Sequence, residues 1–341
     1  MTREEFPWRW RLSDLEPPED GAPTVFSVFA CGGGSSMGYK RAGYDVLGCC
    51  EIDQSVNAIY EANLHPRLSY VMDVRDFNMI DEYPDELTSL DVLDGSPPCS
   101  AFSTSGDREA AWGKAKRFAE GQKLQTLDDL FSVFIETAGR LRPKVVVAEN
   151  VKGIVQGNAR GYVNEIVKGF RSIGYDVQMF LLDASLMGVP QRRERVFFVA
   201  NRMGYRRLRL EFSGKPVTFG EVRDARGVPL SPRVDASVFR KARHGETSLK
   251  NAMRRETGRE SRFNNALLWD DRVAPTVCAF GSMTRMCDLT RATPRDLLNM
   301  ASFPQDYEVP DGKARFVAGM SVPPSMMAHV AAEIRRQWLD A

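Results

Sequence analysis

Along the first two hundred residues, short apolar runs alternate with amphipathic stretches, and this rhythm predicts a fold class before any residue has a chemical role. Runs rich in Val, Ile, Leu and Phe predict strands over 24–29, 45–53, 68–74, 90–95, 144–150, 176–183 and 195–201. Several are continuous rather than alternating, as expected of parallel strands buried on both faces. Helical periodicity lies between them, most clearly over 126–141 and 162–173. Such alternation gives an α/β protein with a doubly wound sheet of about seven strands. Ligands of such sheets bind beyond the carboxyl ends of the strands, so strand-end residues carry most of the functional weight.

Residues 1–23 lack apolar periodicity and read as an N-terminal extension. After Asn201 the alternation stops, and residues 204–287 are Arg-rich and punctuated by Gly and Pro (GKPVTFGEVRDARGVPLSPR). They are expected to form a smaller domain inserted into a main domain of 24–203 and 288–341. Helical patterning returns in TPRDLLNMASF and VPPSMMAHVAAEIRRQWL.

Composition narrows the class without naming a function. With 43% hydrophobic and 27% charged residues, the chain is globular in type, not disordered or collagenous. No apolar run reaches the ~20 residues of a membrane span, and the start lacks a signal-peptide layout, so no membrane partner is expected. Six cysteines without a C-x-x-C pair predict reduced thiols in a cytoplasmic setting, and three histidines make a metal site a poor expectation. The net charge of +1 hides an asymmetry: residues 191–263 hold 19 Lys/Arg against 8 Asp/Glu, in an otherwise acidic chain. A basic segment of this kind is either a solvated surface or the electrostatic footprint of a nucleic acid.

Four stretches carry candidate chemistry, each at a predicted strand end or start. Val-Phe-Ala-Cys-Gly-Gly-Gly-Ser-Ser-Met-Gly, with Val28 first, is a Gly-rich turn that opens a helix, and about 20 residues on the next strand ends in Glu51-Ile52-Asp53. Backbone N–H groups and a strand-end acid suit a nucleoside-bearing cofactor, while the spacing is not that of a dinucleotide fingerprint. Asp91-Val-Leu-Asp-Gly-Ser-Pro-Pro-Cys99 delivers a cysteine behind two prolines. Such a residue is a small buried hydrophobe or, on a rigid polar loop, a nucleophile. Glu149, in Ala-Glu-Asn-Val, follows an apolar run where a charge is costly unless it serves a site. In Gln191-Arg-Arg-Glu-Arg195, strand alternation would put Gln191, Arg193 and Arg195 on one side.

In this order and at these separations, the four stretches resemble the DNA (cytosine-5)-methyltransferase family. Thr293-Pro-Arg…Phe303-Pro304 and Gly319-Met-Ser-Val-Pro-Pro324 resemble it too. The resemblance implies a Rossmann-like methyltransferase domain, with residues 204–287 as target recognition domain and double-stranded DNA as partner. It implies S-adenosylmethionine as cofactor, held by Phe29, Gly33, Gly34, Glu51, Ile52, Asp73, Val74, Pro98 and Ser321. Cys99, Glu149, Arg193 and Arg195 become catalytic, and Pro97, Ser100, Ser103, Asn150 and Gln191 contact the substrate. Residues 100–120, polar and Gly-containing, are expected to close over a flipped base. A monomer from a bacterial or phage restriction–modification setting fits the same likeness.

Two motifs depart from the family's pattern. Ser27 stands where an Asp is usual with Cys31 in place of a Gly, and Met320 replaces the Asn of the closing motif. Both fall where the cofactor is held, which admits a modified S-adenosylmethionine analogue as donor. RNA cytosine methylation and an idle DNA-binding homologue are the rival classes; the intact Cys99, Glu149 and Arg195 speak against the second.

Overall fold

A computed structural model describes residues 6–98, 129–156, 160–232, 236–258 and 265–340. The chain forms two compact units. One comprises Leu15–Leu182, Glu194–Glu211 and Met327–Ala341; the other comprises Met1–Asp14, Asp183–Arg193 and Phe212–Met326. Residues 183–193 and the Thr293-Pro-Arg helix fall in the same unit as most of the Arg-rich segment.

The first unit is built on a seven-stranded sheet of β1 (Thr24–Val28), β2 (Asp45–Glu51), β3 (Leu68–Val71), β4 (Val92–Gly95), β5 (Val145–Val151), β6 (Asp176–Asp183) and β7 (Glu194–Asn201). Each apolar run of the sequence becomes a strand, with ends shifted by three residues at most. The spatial order is β3-β2-β1-β4-β5-β7-β6. Strands β1 to β5 pair in parallel, while β7 runs antiparallel to β5. The continuous apolar run of β7 gives no hint of this reversal. Its cause is chain length: only residues 184–193 join β6 to β7, fewer than the dozen or so a parallel crossover needs.

Helices of this unit are α1 (Gly34–Arg41), α2 (Gln54–Leu64), the short α3 (Val74–Phe77) and α4 (Asp85–Thr88), α5 (Asp129–Leu141) and α6 (Arg160–Ser172). Asp53 starts α2 by accepting from the Ser55 and Val56 N–H groups, the usual work of an N-cap carboxylate. Phe26, Leu93, Phe134, Val146, Phe170 and Phe198 form the heart of one buried apolar cluster. Strand order reverses direction between β1 and β4, so the crevice beyond their carboxyl ends is the expected ligand position.

The second unit holds α7 (Leu249–Thr257), α8 (Pro294–Met300), α9 (Ala314–Met320) and a three-stranded sheet of β8 (Asn265–Leu268), β9 (Ser282–Arg285) and β10 (Thr290–Arg291). The helix α10 (Pro324–Ile334) crosses the division between the units. Thr293 and Asp296 form a capping box with Pro294 at the first turn of α8, which is why TPRD reads as a helix start. Arg285 is fully buried and pairs with Asp288 at 2.9 Å and with the equally buried Asp296 at 3.5 Å. Within the described part of the N-terminal extension, Trp10 is buried, and its indole N–H donates to the Ser302 carbonyl at 2.9 Å. Among the described residues no helix is long and apolar enough to cross a membrane.

Candidate active site

At the end of β5, Glu149 is nine-tenths buried, and its Oε1 lies 2.8 Å from Arg195 Nε. Register explains the meeting: Glu149 faces Phe197 and Val151 faces Arg195 across the antiparallel pair. Side chains two apart share a sheet face, so Glu149 and Arg195 are diagonal neighbours on one side. The Arg195 guanidinium also donates to the Glu194 carbonyl at 2.8 Å. Although the charges touch, Glu149 Oε1 makes no aligned hydrogen bond among the described residues. A buried carboxylate oxygen in that condition is costly, and it leaves acceptor capacity for a ligand.

The next residue ties the loop of the cysteine to the same strand. Asn150 Nδ2 donates to the Pro97 carbonyl at 3.1 Å, and its Oδ1 accepts from Val151 N–H at 2.8 Å. Asn150, expected at the substrate, thus also ties the Pro97 loop to β5. Pro97 is buried and Pro98 half-buried. Cys99, Ser100, Ser103 and the expected closing loop 100–120 lie outside the described residues.

The Gly-rich turn leaves β1 in an unusual backbone. Phe29 and Cys31 have φ of 55° and 47°, a region that non-glycine residues enter at a cost and that clusters at functional sites. At Gly33, φ of 83° would strain any other residue, and a Cβ would press on the Leu64 side chain. Gly33 caps α1 without any side-chain hydrogen bond, which leaves backbone N–H groups at the helix start. Glu51, at the end of β2, accepts from the Cys31 N–H at 2.8 Å and the Asp53 N–H at 3.1 Å. Burial pushes its carboxyl pKa up, and the backbone N–H groups of Asp53, Cys31 and Ile52 oppose the shift. Three N–H donors leave one further acceptor site on the carboxylate. An uncapped helix start, a close backbone and a fixed acceptor for hydroxyls fit the nucleoside portion of S-adenosylmethionine.

Ile52 is half-buried beside Glu51. Asp73 caps α3, accepting from Arg75 N–H at 2.9 Å and pairing with its guanidinium at 3.3 Å, while Val74 is buried as the first residue of that helix.

The placement of Gln191 and Arg193 on a strand requires a correction. The strand begins at Glu194, so of the three only Arg195 belongs to it. Gln191 is fully buried, donating to the Met300 carbonyl at 3.0 Å and accepting from Val277 N–H at 2.9 Å. Arg193 donates to the carbonyls of Val277, Gly319 and Ser321 at 3.1, 2.9 and 2.9 Å. Those bonds hold the second unit together and outrank strand alternation, which requires a ladder that has not yet started. Ser321 is buried beside Arg193, and Met320 is 48% exposed. Sequence reasoning missed Asp94, a fully buried carboxyl inside the Val-Leu-Asp-Gly strand; the only signal was a charge among apolar strand residues.

A sequence profile described as C-5 cytosine-specific DNA methylase matches residues 24–336. Among curated relatives, the type II methyltransferase M.NgoPII of Neisseria gonorrhoeae is 30% identical over 59% of this chain and 54% of its own length. M1.HphI of Haemophilus parahaemolyticus, also a type II methyltransferase, is 26% identical over 90% of this chain and 85% of its own. The chain spans about half the length of the first curated relatives it matches. A solved prophage-encoded protein of E. coli, described as a DNA modification methyltransferase, shares the fold with a TM-score of 0.69 at 19% identity, over 94% of this chain and 100% of its own.

Proposed function

The chain belongs to the C-5 cytosine-specific DNA methylase family, and from that premise we propose that it methylates C5 of a cytosine flipped out of double-stranded DNA. The observation that carries this reading is the buried Glu149–Arg195 contact on the strand whose next residue fastens Pro97, two residues before Cys99.

C5 of cytosine is a weak nucleophile, and this chain's residues are suited to correct that. The Cys99 thiolate adds to C6 while Glu149, as its acid, gives a proton to N3; the C5=C6 electron pair is then available at C5. Arg195, in contact with Glu149, orients the ring and offsets charge in this reading. S-adenosylmethionine, when bound, supplies the methyl group as an electrophile on sulfonium. Phe29, Gly33, Gly34 and Glu51 would hold its nucleoside, with Ile52, Asp73, Val74, Pro98 and Ser321 as further contacts. Afterwards the C5 proton leaves to water, the C5=C6 bond re-forms as Cys99 departs as thiolate, and the N3 proton returns to Glu149.

Extracting the base from its stack costs a few kcal/mol, which the basic segment 204–287, as target recognition domain, offsets through phosphate contacts. Relatives named type II methyltransferases favour a bacterial or phage modification setting.

Duplex DNA bearing 5-fluorodeoxycytidine tests the reading, because fluorine at C5 cannot leave as a proton does. With S-adenosylmethionine, the parent is expected to form an adduct stable to denaturation, and Cys99→Ala none. A Cys99→Ala protein that methylates like the parent overturns the covalent route, and faster transfer to tRNA than to duplex DNA moves the substrate to RNA. The exposed Met320 favours one second reading, a modified donor. Nucleoside mass spectrometry separates the two, since only the second adds a mass other than one methyl group.

A further inference from the structure

Behind the Gly-rich turn lies a buried polar network that neither the base chemistry nor the donor contacts account for. Its centre is Asp94 on β4, 2% exposed. Ser27 on β1 is its direct neighbour in the parallel register and donates to Asp94 Oδ2 at 3.1 Å. Tyr39 on α1 donates to Asp94 Oδ1 at 3.4 Å, and the Ser35 hydroxyl, in the first turn of α1, also hydrogen-bonds the carboxyl. A second layer extends it: Ser27 and Ser36 hydroxyls lie 3.1 Å apart, and the Tyr60 hydroxyl of α2 donates to Ser36 at 2.8 Å. Ser27, Ser36, Tyr39 and Tyr60 are fully buried.

The serines of this network flank the turn 29–33. Ser27 stands two residues before Phe29, and Ser35 and Ser36 begin α1 just after Gly33. A turn with positive φ at Phe29, Cys31 and Gly33 does not hold itself in place, because such conformations persist only where the surroundings over-determine them. An apolar trio at these positions would pack with less desolvation penalty. The carboxyl instead gives one point to which both ends of the turn are bonded, at the strand-order reversal between β1 and β4. The sequence bears a matching mark. Ser27 stands where the resembling family usually has an acid, and here the acid sits directly across the ladder.

We infer that Asp94 is a positioning residue for the methyl donor: through Ser27, Ser35 and Tyr39 it fixes the turn that holds the nucleoside, from the strand opposite Ser27. This rests on the reading of residues 29–34 and Glu51 as the donor site. Asp94 itself touches no reacting atom.

Calorimetric titration of S-adenosylmethionine, with steady-state methylation of duplex DNA, tests it in four variants of the full chain. Asp94→Ala is expected to weaken donor binding by about 10- to 100-fold, the loss of hydrogen bonds to a charged group, and to raise the donor KM more than it lowers kcat. The exchange Ser27→Asp with Asp94→Ser returns the carboxyl to the same network from the other strand and is expected to recover most of the affinity. Parent-like donor binding by Asp94→Ala, or an exchanged protein no better than Asp94→Ala, overturns the inference. Ser27→Ala removes a single hydroxyl and serves if Asp94→Ala does not fold; several-fold weaker binding supports the inference, and none overturns it. Glu51→Gln separates the premise: if it binds donor like the parent, the donor-site reading fails. If it weakens binding while the Asp94 and Ser27 variants do not, only the inference fails.

Discussion

Asn150 Nδ2 reaches the Pro97 carbonyl at 3.1 Å, so the strand end that presents Glu149 also fastens the loop leading to Cys99. Two motifs 53 residues apart in sequence are thereby locked by one side chain.

Loss of that tie should appear in the chemical step. Asn150→Ala leaves the buried Pro97 carbonyl without its donor, at a cost of about 1–3 kcal/mol. If half of that cost falls on the geometry of the transition state, kcat drops about 2- to 10-fold while the KM values for donor and DNA change little. Single-turnover methylation checks this; a variant that loses affinity but keeps its single-turnover rate would show the tie serves binding instead.

Asp94 makes stability depend on pH. Burial pushes its carboxyl pKa up from 3.8 to about 7; hydrogen bonds from Ser27, Ser35 and Tyr39 oppose the rise, and the nearby Glu149 charge adds to it. The facing phenols of Tyr39 and Tyr60 are raised far above their ordinary range and stay neutral. The folded state therefore holds a proton that the unfolded state releases. This contribution to stability is complete below about pH 4 and is lost as pH rises through about 7. Asp94→Asn removes the titration, so the fall in Tm between pH 6 and pH 8 is expected to be smaller than in the parent. Parallel Tm profiles for the two proteins would refute it.

Trp10 is expected to stabilise the fold far more than a leader should. Besides its bond to Ser302, the Gln305 N–H donates to the Trp10 carbonyl at 2.8 Å, and the Leu12 and Ser13 N–H groups donate to Asp306 at 2.8 and 3.0 Å. Trp10→Ala should cost about 3–5 kcal/mol, read from urea unfolding. A loss under about 1 kcal/mol would mean the extension is held by its backbone alone.

DNA affinity should be strongly ionic. If the basic stretch 191–263 contacts phosphates, log K falls with log salt by about 0.9 per phosphate. Fluorescence anisotropy between 50 and 200 mM salt measures the slope. Salt-independent binding would remove this stretch from the interface.

The seven strands and the two amphipathic helices α5 and α6 were legible because they are local: a buried strand needs a continuous apolar run, and a surface helix needs one apolar stripe. The motif residues were legible too, since glycines, paired prolines and a charge after VVV are conspicuous against that background. What strings of residues could not reveal is register. That Glu149 meets Arg195 follows from an antiparallel β5–β7 pair, and that Ser27 meets Asp94 follows from a parallel β1–β4 pair 67 residues apart. Likewise Gln191 and Arg193 looked like strand residues until the carbonyls of Val277, Met300, Gly319 and Ser321 proved to be their partners. The sequence by itself determined the elements and the chemical types at their ends. Tertiary structure decided which ends meet, because a hydrogen bond depends on ångströms in space and not on distance along the chain.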